Sequence, residues 1–175
     1  HHMFAMGLPQ LSESFFTAAS LMIVIPTGTQ FFCWVATIWY GRLQLRLPML
    51  WCFGFFFVFL IGGLSGVMLA SVPVDLQVHD TYFVVAHFHY VLIGGALFPM
   101  FAGIYFWFPK MTGRMANATL GKWHFWLFFI GFNITFFTLH FLGLRGMPRR
   151  VYTYGPDMHW QGLNALGSSG VAFMT

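Results

Sequence analysis

The chain has 175 residues, of which 58% are hydrophobic, 21% aromatic and only 7% charged, with a net charge of +4. A soluble globular domain carries about a quarter charged residues, and a soluble core of this size could not hide so much apolar surface from water. The composition therefore excludes a soluble domain and is typical of a protein whose outer face contacts lipid.

Four apolar stretches each approach the ~20 residues that a helix needs to cross a bilayer. In chain order they cover about residues 15–40, 48–70, 81–108 and 120–144, and a fifth begins near Trp160. The pattern predicts an all-α, polytopic transmembrane helix bundle. No linker or repeat interrupts it, so we expect residues 1–175 to belong to a single transmembrane domain that is incomplete at both ends.

The charged residues divide the connections between the stretches into two groups. One side of the membrane receives five basic residues: Arg42, Arg46, Lys110, Arg114 and Lys122. The positive-inside rule makes that side cytoplasmic. The opposite side receives all four acids: Glu13, Asp75, Asp80 and Asp157.

Three arginines lie on the acidic side, against the positive-inside rule. Arg145, Arg149 and Arg150 follow the fourth stretch. They either pair with the acids there or bind anions, and a guanidinium matches planar carboxylates such as haem propionates.

Two histidines, His87 and His89, lie well inside the third stretch. Residues two apart on an α-helix point roughly 200° apart, so these side chains face opposite sides of one helix and cannot easily share an ion. Neutral imidazole is a good axial ligand for haem iron. The pair therefore serves two separate centres, or it hydrogen-bonds to two neighbouring helices, and the residues alone favour neither.

The remaining polar candidates are weaker signals. His1 and His2 are adjacent and could turn toward one ion such as copper. His79 and Asp80 precede the third stretch, where they could hold Mg²⁺ with water ligands, or Asp80 could cap the helix. His140 either supports a metal site without binding the metal itself, or it hydrogen-bonds within its own helix.

The sequence HDTYFVVAHFHY at residues 79–90 resembles the signature helix of subunit I of cytochrome c oxidase, in the haem-copper oxygen reductase superfamily. Further matches occur in the family's order and spacing: HHMF at 1–4, IPTG at 25–28, GGLSG at 62–66 and GMPRR at 146–150. The resemblance covers essentially the whole chain. It implies that the stretches correspond to helices eight to eleven and the start of twelve.

The resemblance implies specific ligands. His1 and His2 are expected to be two of the three ligands of copper-B. His87 is expected to be the axial ligand of the high-spin haem, where oxygen binds, and His89 an axial ligand of the low-spin haem. The third copper histidine, a tyrosine bonded to it and the second low-spin ligand are expected upstream.

The resemblance also implies roles on the acidic side. Arg149 and Arg150 match the pair that binds haem propionates. Asp75 matches an acid near a propionate and the copper ligands, in the proton-exit region. His79 and Asp80 match ligands of a non-redox magnesium.

The implied activity is four-electron reduction of oxygen to water, coupled to proton translocation. Two haems of A type, copper-B and magnesium are the expected cofactors. Electrons are expected from cytochrome c through a dinuclear copper centre on subunit II, with subunit III as a further partner and no nucleic acid involved. The expected location is a bacterial plasma membrane or the mitochondrial inner membrane.

One position departs from the common form, because Gln30 stands where a proton-pathway lysine is usual.

Two alternatives remain. A quinol oxidase of the same superfamily shares the histidines, but Asp80, Pro148 and Tyr90 favour cytochrome c as the donor. An ion channel or transporter would explain histidines inside the membrane by a water-filled path. It would not explain two histidines on opposite faces of one helix beside an arginine pair.

Overall fold

The structure is a computed structural model that describes residues 2–175, in which eight α-helices and no strands occur. The helices are α1 (Gln10–Met22), α2 (Val24–Trp39), α3 (Leu47–Leu69), α4 (Val72–Val78), α5 (Tyr82–Leu92), α6 (Phe98–Thr112), α7 (Ala118–Leu144) and α8 (Gln161–Met174).

Four helical segments are long and apolar enough to cross a membrane: Gln10–Trp39, Leu47–Leu69, Tyr82–Thr112 and Ala118–Leu144. Each agrees with a predicted stretch to within a few residues, and α8 begins directly after Trp160. The prediction of an all-α, polytopic transmembrane bundle is confirmed. The chain is an integral membrane protein.

The first span consists of two helices, α1 and α2, with Ile23 between them. Pro26 has no N–H and so cannot continue the hydrogen-bond ladder from the preceding turn. Edge-to-face ring contacts attach this span to α3: Phe31 lies 5.4 Å from Phe56 and Trp34 lies 5.2 Å from Phe55, between ring centroids.

The third span contains a π-helical turn, Ile93–Leu97, between α5 and α6. Gly94 lies in this turn against α3, where a Cβ atom would come within 2.8 Å of the Val58 side chain. The extra residue of a π turn changes the rotational phase of the helix, so α5 and α6 present different faces to α3.

Aromatic side chains fill the core between α3, the third span and α7. Trp51 is fully buried and contacts Phe98 and Phe125 edge-to-face, with ring centroids 5.4 Å and 5.2 Å apart. Such contacts are worth about 0.5–1.5 kcal/mol each beyond the area that they bury. They fix α3, α6 and α7 relative to one another.

The connections before α5 and after α7 meet at one end of the bundle. The Tyr82 N–H donates to the Met147 carbonyl at 3.0 Å, and the Arg149 N–H donates to the Asp80 carbonyl at 2.8 Å. The turn Phe4–Met6 contacts α4 at this same end. Asp80 and Arg149 therefore lie together at this end, as the alternation of spans predicts.

One local expectation was wrong. The apolar stretches predicted at 48–70 and 81–108 left residues 71–80 as a connection without a helix, but most of this segment is the short helix α4. Pro73 lies at its N-terminus, where proline's fixed φ suits a helix and its missing N–H has no intrahelical partner to lose.

Replacing Gly143 with alanine is expected to destabilise the bundle. A Cβ atom at this position would overlap the backbone of Phe83, because α5 and α7 approach each other closely there. Overpacking of this kind typically costs about 1–3 kcal/mol. The melting temperature of the full-length protein in detergent should fall, whereas Gly28→Ala, with nothing within 4 Å of the added Cβ, should not lower it. Equal melting of the two variants would contradict the close approach.

Candidate functional site

The helix that carries the two central histidines, α5, begins at a side-chain cap. The Thr81 hydroxyl accepts a hydrogen bond from the Phe83 N–H at 3.2 Å. Asp80 precedes the cap and has a positive φ of 56°. The alternative in which Asp80 caps this helix is therefore wrong, and its carboxylate is available for other contacts.

The imidazole of His87 is buried against α3. Its Nδ1 lies 3.0 Å from the Gly62 carbonyl and 3.1 Å from the Ser65 hydroxyl. Gly66 leaves room for the ring, because a Cβ there would come within 2.8 Å of His87 Cε1. A carbonyl can only accept, so Nδ1 carries the proton and the metal-binding lone pair is on Nε2.

The imidazole of His89 is directed to a different helix. Its ring stacks on Phe136 of α7, with centroids 4.1 Å apart and planes 15° apart. Its Nδ1 donates to the Val85 carbonyl at 2.8 Å, which again leaves the lone pair on Nε2. The two histidines therefore contact different neighbours, α3 and α7, as expected for side chains that point to different sides of one helix. Their roles as haem ligands stay predictions.

His2 lies beside His87. The two rings have centroids 6.1 Å apart, and the His2 ring packs at 4.8 Å against Phe88. Partial burial, and next the nearby His87, lower the pKa of His2 to about 4. His2 is therefore neutral at physiological pH, which is the form that binds a metal. His1, the other predicted copper ligand, lies outside the described residues.

Residues 2–175 contain no group of three or more His, Cys, Asp or Glu side chains that could hold a metal ion by themselves. The donors that are present fit the expected groups, since imidazole is a good ligand for copper and for haem iron, and the ring centroids of His2 and His87 are 6.1 Å apart.

The predicted magnesium ligands lie together at the acidic end. His79 Nε2 is 4.0 Å from a carboxylate oxygen of Asp80, and His79 Nδ1 is 2.8 Å from Asp75 Oδ2. Asp75 is fully buried, and its Oδ1 has no hydrogen-bond partner among the described residues. Burial raises the pKa of Asp75, although the hydrogen bond from His79 opposes that rise. A hydrogen-bond donor in the adjacent space would satisfy this buried carboxylate oxygen.

The arginine pair is divided between two environments. The guanidinium of Arg149 forms an ion pair with the Asp80 carboxylate. Arg150 is exposed, has a positive φ of 63° and forms no ion pair within residues 2–175. Pairing with an acid therefore accounts for Arg149, and the exposed guanidinium of Arg150 can bind a planar carboxylate.

Several residues around the histidines were given no structural role from the sequence, although some of them occur in the quoted matches. Ser65, Gly66 and Phe136 contact the two imidazoles, and the Tyr90 hydroxyl donates to Asn133 Oδ1 at 2.8 Å, which joins α5 to α7. Of these contacts, only those made by glycines could have been predicted from the sequence. Gly62 and Gly66 are four residues apart, a spacing at which small residues let membrane helices approach closely.

His140 lies in α7, in contact with α5. Its ring is buried 5.2 Å from the ring of Phe83 and 5.3 Å from that of Tyr90, between centroids. Neither ring nitrogen has a partner of good hydrogen-bond geometry among the described residues. His140 therefore contacts the helix that carries His87 and His89.

Comparison with known proteins extends over the whole chain. A family model described as "Cytochrome C and Quinol oxidase polypeptide I" matches residues 1–173. Cytochrome c oxidase subunit 1 of Synechocystis sp. is 55% identical over 170 residues, which are 97% of this chain and 30% of that protein. Quinol oxidase subunit 1 of Bacillus subtilis is 53% identical over 174 residues, 99% of this chain and 27% of that protein.

The fold also matches a solved structure. A chain from the cryo-EM structure of a haem-copper terminal oxidase dimer superposes with a TM-score of 0.88 at 22% sequence identity, covering 99% of this chain and 36% of that one. The chain thus spans about 30% of the length of the curated relatives it matches. The family match and the four membrane spans lead to one conclusion: the chain belongs to the cytochrome c and quinol oxidase polypeptide I family, the subunit I family of the haem-copper oxidases.

Proposed function

We propose that this chain is part of the catalytic subunit of a terminal respiratory oxidase that reduces O₂ to water with four electrons and four protons. One observation carries the proposal. A single helix, α5, presents His87 toward α3 and His2, and presents His89 toward α7. One helix can thus ligate two haems on opposite faces, with a copper ligand beside one of them.

The chain's own residues would hold the cofactors. His87 and His89 would each ligate a haem through Nε2, and His1 and His2 would bind copper-B together with an upstream histidine. Iron and copper, when bound, supply the electron-transfer chemistry. The Gly62 carbonyl and the Ser65 hydroxyl orient His87 by holding the proton on Nδ1. Burial keeps His2 neutral.

The acidic end of the bundle would bind the haem propionates and the magnesium ion. Arg149 and Arg150 would bind propionates, with Asp75 near a propionate and the copper ligands in the proton-exit region. His79 and Asp80 would bind magnesium. The ion pair between Arg149 and Asp80 links these two groups.

We propose haems of A type. We also propose a proton pathway altered at Gln30, since an amide cannot carry a proton charge as lysine does.

We propose cytochrome c as the donor, through the dinuclear copper centre of subunit II, with subunit III completing the complex. The overall identities, 55% to a cytochrome c oxidase and 53% to a quinol oxidase, do not separate the two donors. The proposal of cytochrome c as the donor rests on Asp80, Pro148 and Tyr90, which favour it over a quinol. We place the complex in a bacterial plasma membrane or the mitochondrial inner membrane, with residues 1–175 in a single transmembrane domain.

The function is tested on the full-length protein with its partner subunits, reconstituted in vesicles. Oxygen consumption is measured with reduced cytochrome c and, separately, with a quinol. We expect turnover with cytochrome c, four electrons per O₂ and proton release on one side of the membrane. Turnover with quinol alone would make the donor assignment wrong, and no oxygen consumption with either donor would make the oxidase proposal wrong.

A further inference from the structure

A groove at the basic end of the bundle has no part in the proposed oxidase chemistry. It lies between the start of α3, the end of α6 and the start of α7, and its volume is about 790 Å³. This is within the range of about 300–1,000 Å³ that small-molecule sites occupy. Apolar side chains form most of its wall, among them Met49, Phe106 and Pro109.

Positive charge surrounds the groove. Arg46 and Lys122 line it, and the Lys110 ammonium lies 4.9 Å from the centroid of the Phe106 ring. All three cations are exposed, and none forms an ion pair within residues 2–175. By the alternation of the spans, the four acids of the chain belong to the opposite side of the membrane. The groove therefore combines an apolar wall with uncompensated positive charge.

The depth of the groove in the membrane follows from the helices that form it. The second span begins at Leu47 and the fourth at Ala118, and both of these residues line the groove. The cations therefore lie at the level of lipid headgroups, and the apolar wall along α3 and α6 continues toward the acyl chains. Anionic headgroups are attracted to basic residues at this depth.

We propose that this groove binds an anionic glycerophospholipid. The phosphate would lie between Arg46 and Lys122, and one acyl chain would follow the apolar wall toward Cys52. Two features favour a lipid over free phosphate or a protein segment. The unpaired cations attract an anion, and the adjoining apolar wall, at membrane depth, accommodates a hydrocarbon chain of the same molecule.

The proposal is tested by native mass spectrometry on the full-length oxidase with its partner subunits, stripped of lipid in detergent and titrated with phosphatidylglycerol. The double variant Arg46→Gln, Lys122→Gln removes both cations from the groove. Its matched control, Arg42→Gln, Arg114→Gln, removes two cations from the same end that do not line the groove. The haem spectrum verifies that each variant is folded.

We expect the groove variant to bind its tightest phosphatidylglycerol about thirtyfold more weakly than wild type, and the control to bind like wild type. Lys122→Arg should retain binding, because the charge is kept. Phosphatidylcholine should bind weakly, and millimolar inorganic phosphate should not displace the lipid. Equal weakening in the control, undiminished binding in the groove variant, or displacement by phosphate would each overturn the proposal.

Discussion

Replacing His87 with alanine in the full-length protein is expected to remove the haem that binds carbon monoxide, whereas His89→Ala is expected to remove the haem that does not. The reason is geometric, because the His87 imidazole faces α3 and His2, and the His89 imidazole faces Phe136 of α7. Each variant removes a ligand on one side of α5 only. Reduced-minus-oxidised spectra recorded with and without carbon monoxide, on the complex with its partner subunits, measure both haems.

An exposed histidine provides the control for these variants. His159 lies in the connection before α8, and His159→Ala should keep both haem signals at wild-type intensity. The oxidase proposal fails if wild type contains no haem, or if both His87→Ala and His89→Ala keep normal spectra. An ion channel or transporter would then be the better explanation of histidines inside the membrane.

The second large effect is expected at Gly66, one α-helical turn beyond Gly62. An alanine Cβ there would come within 2.8 Å of His87 Cε1, and the ring cannot withdraw without losing its contacts to the Gly62 carbonyl and the Ser65 hydroxyl. Overpacking of this size costs about 1–3 kcal/mol. Gly66→Ala should therefore displace the imidazole and shift or weaken the carbon-monoxide difference spectrum.

The low-spin haem is the internal reference for this experiment, since His89 contacts α7 and not α3. Its spectrum should remain unchanged in Gly66→Ala. Gly63→Ala is the matched variant in the same helix, because nothing lies within 4 Å of the added Cβ. It should leave both haems unaltered. A carbon-monoxide spectrum that responds equally to the two alanines would show that Gly66 does not make room for His87.

Features that depend on one helix at a time could be predicted from the sequence. The spans follow from composition, because the bilayer sets their length and every backbone group inside it must be hydrogen-bonded within its own segment. The opposite directions of His87 and His89 follow from the rotation per residue. The alternation of spans also predicts that Asp80 and Arg149 lie at the same end, where they form an ion pair.

Tertiary structure alone decided which groups the histidines contact. His87 donates to Gly62, and His89 stacks on Phe136, across separations that depend on how α3, α5 and α7 are rotated and how closely they approach. Close approach is set by the glycines and aromatic rings of both partners together, and no single segment carries that information. The helix α4 was missed for a related reason. At seven residues it is too short to be stable by itself and depends on its neighbours for packing.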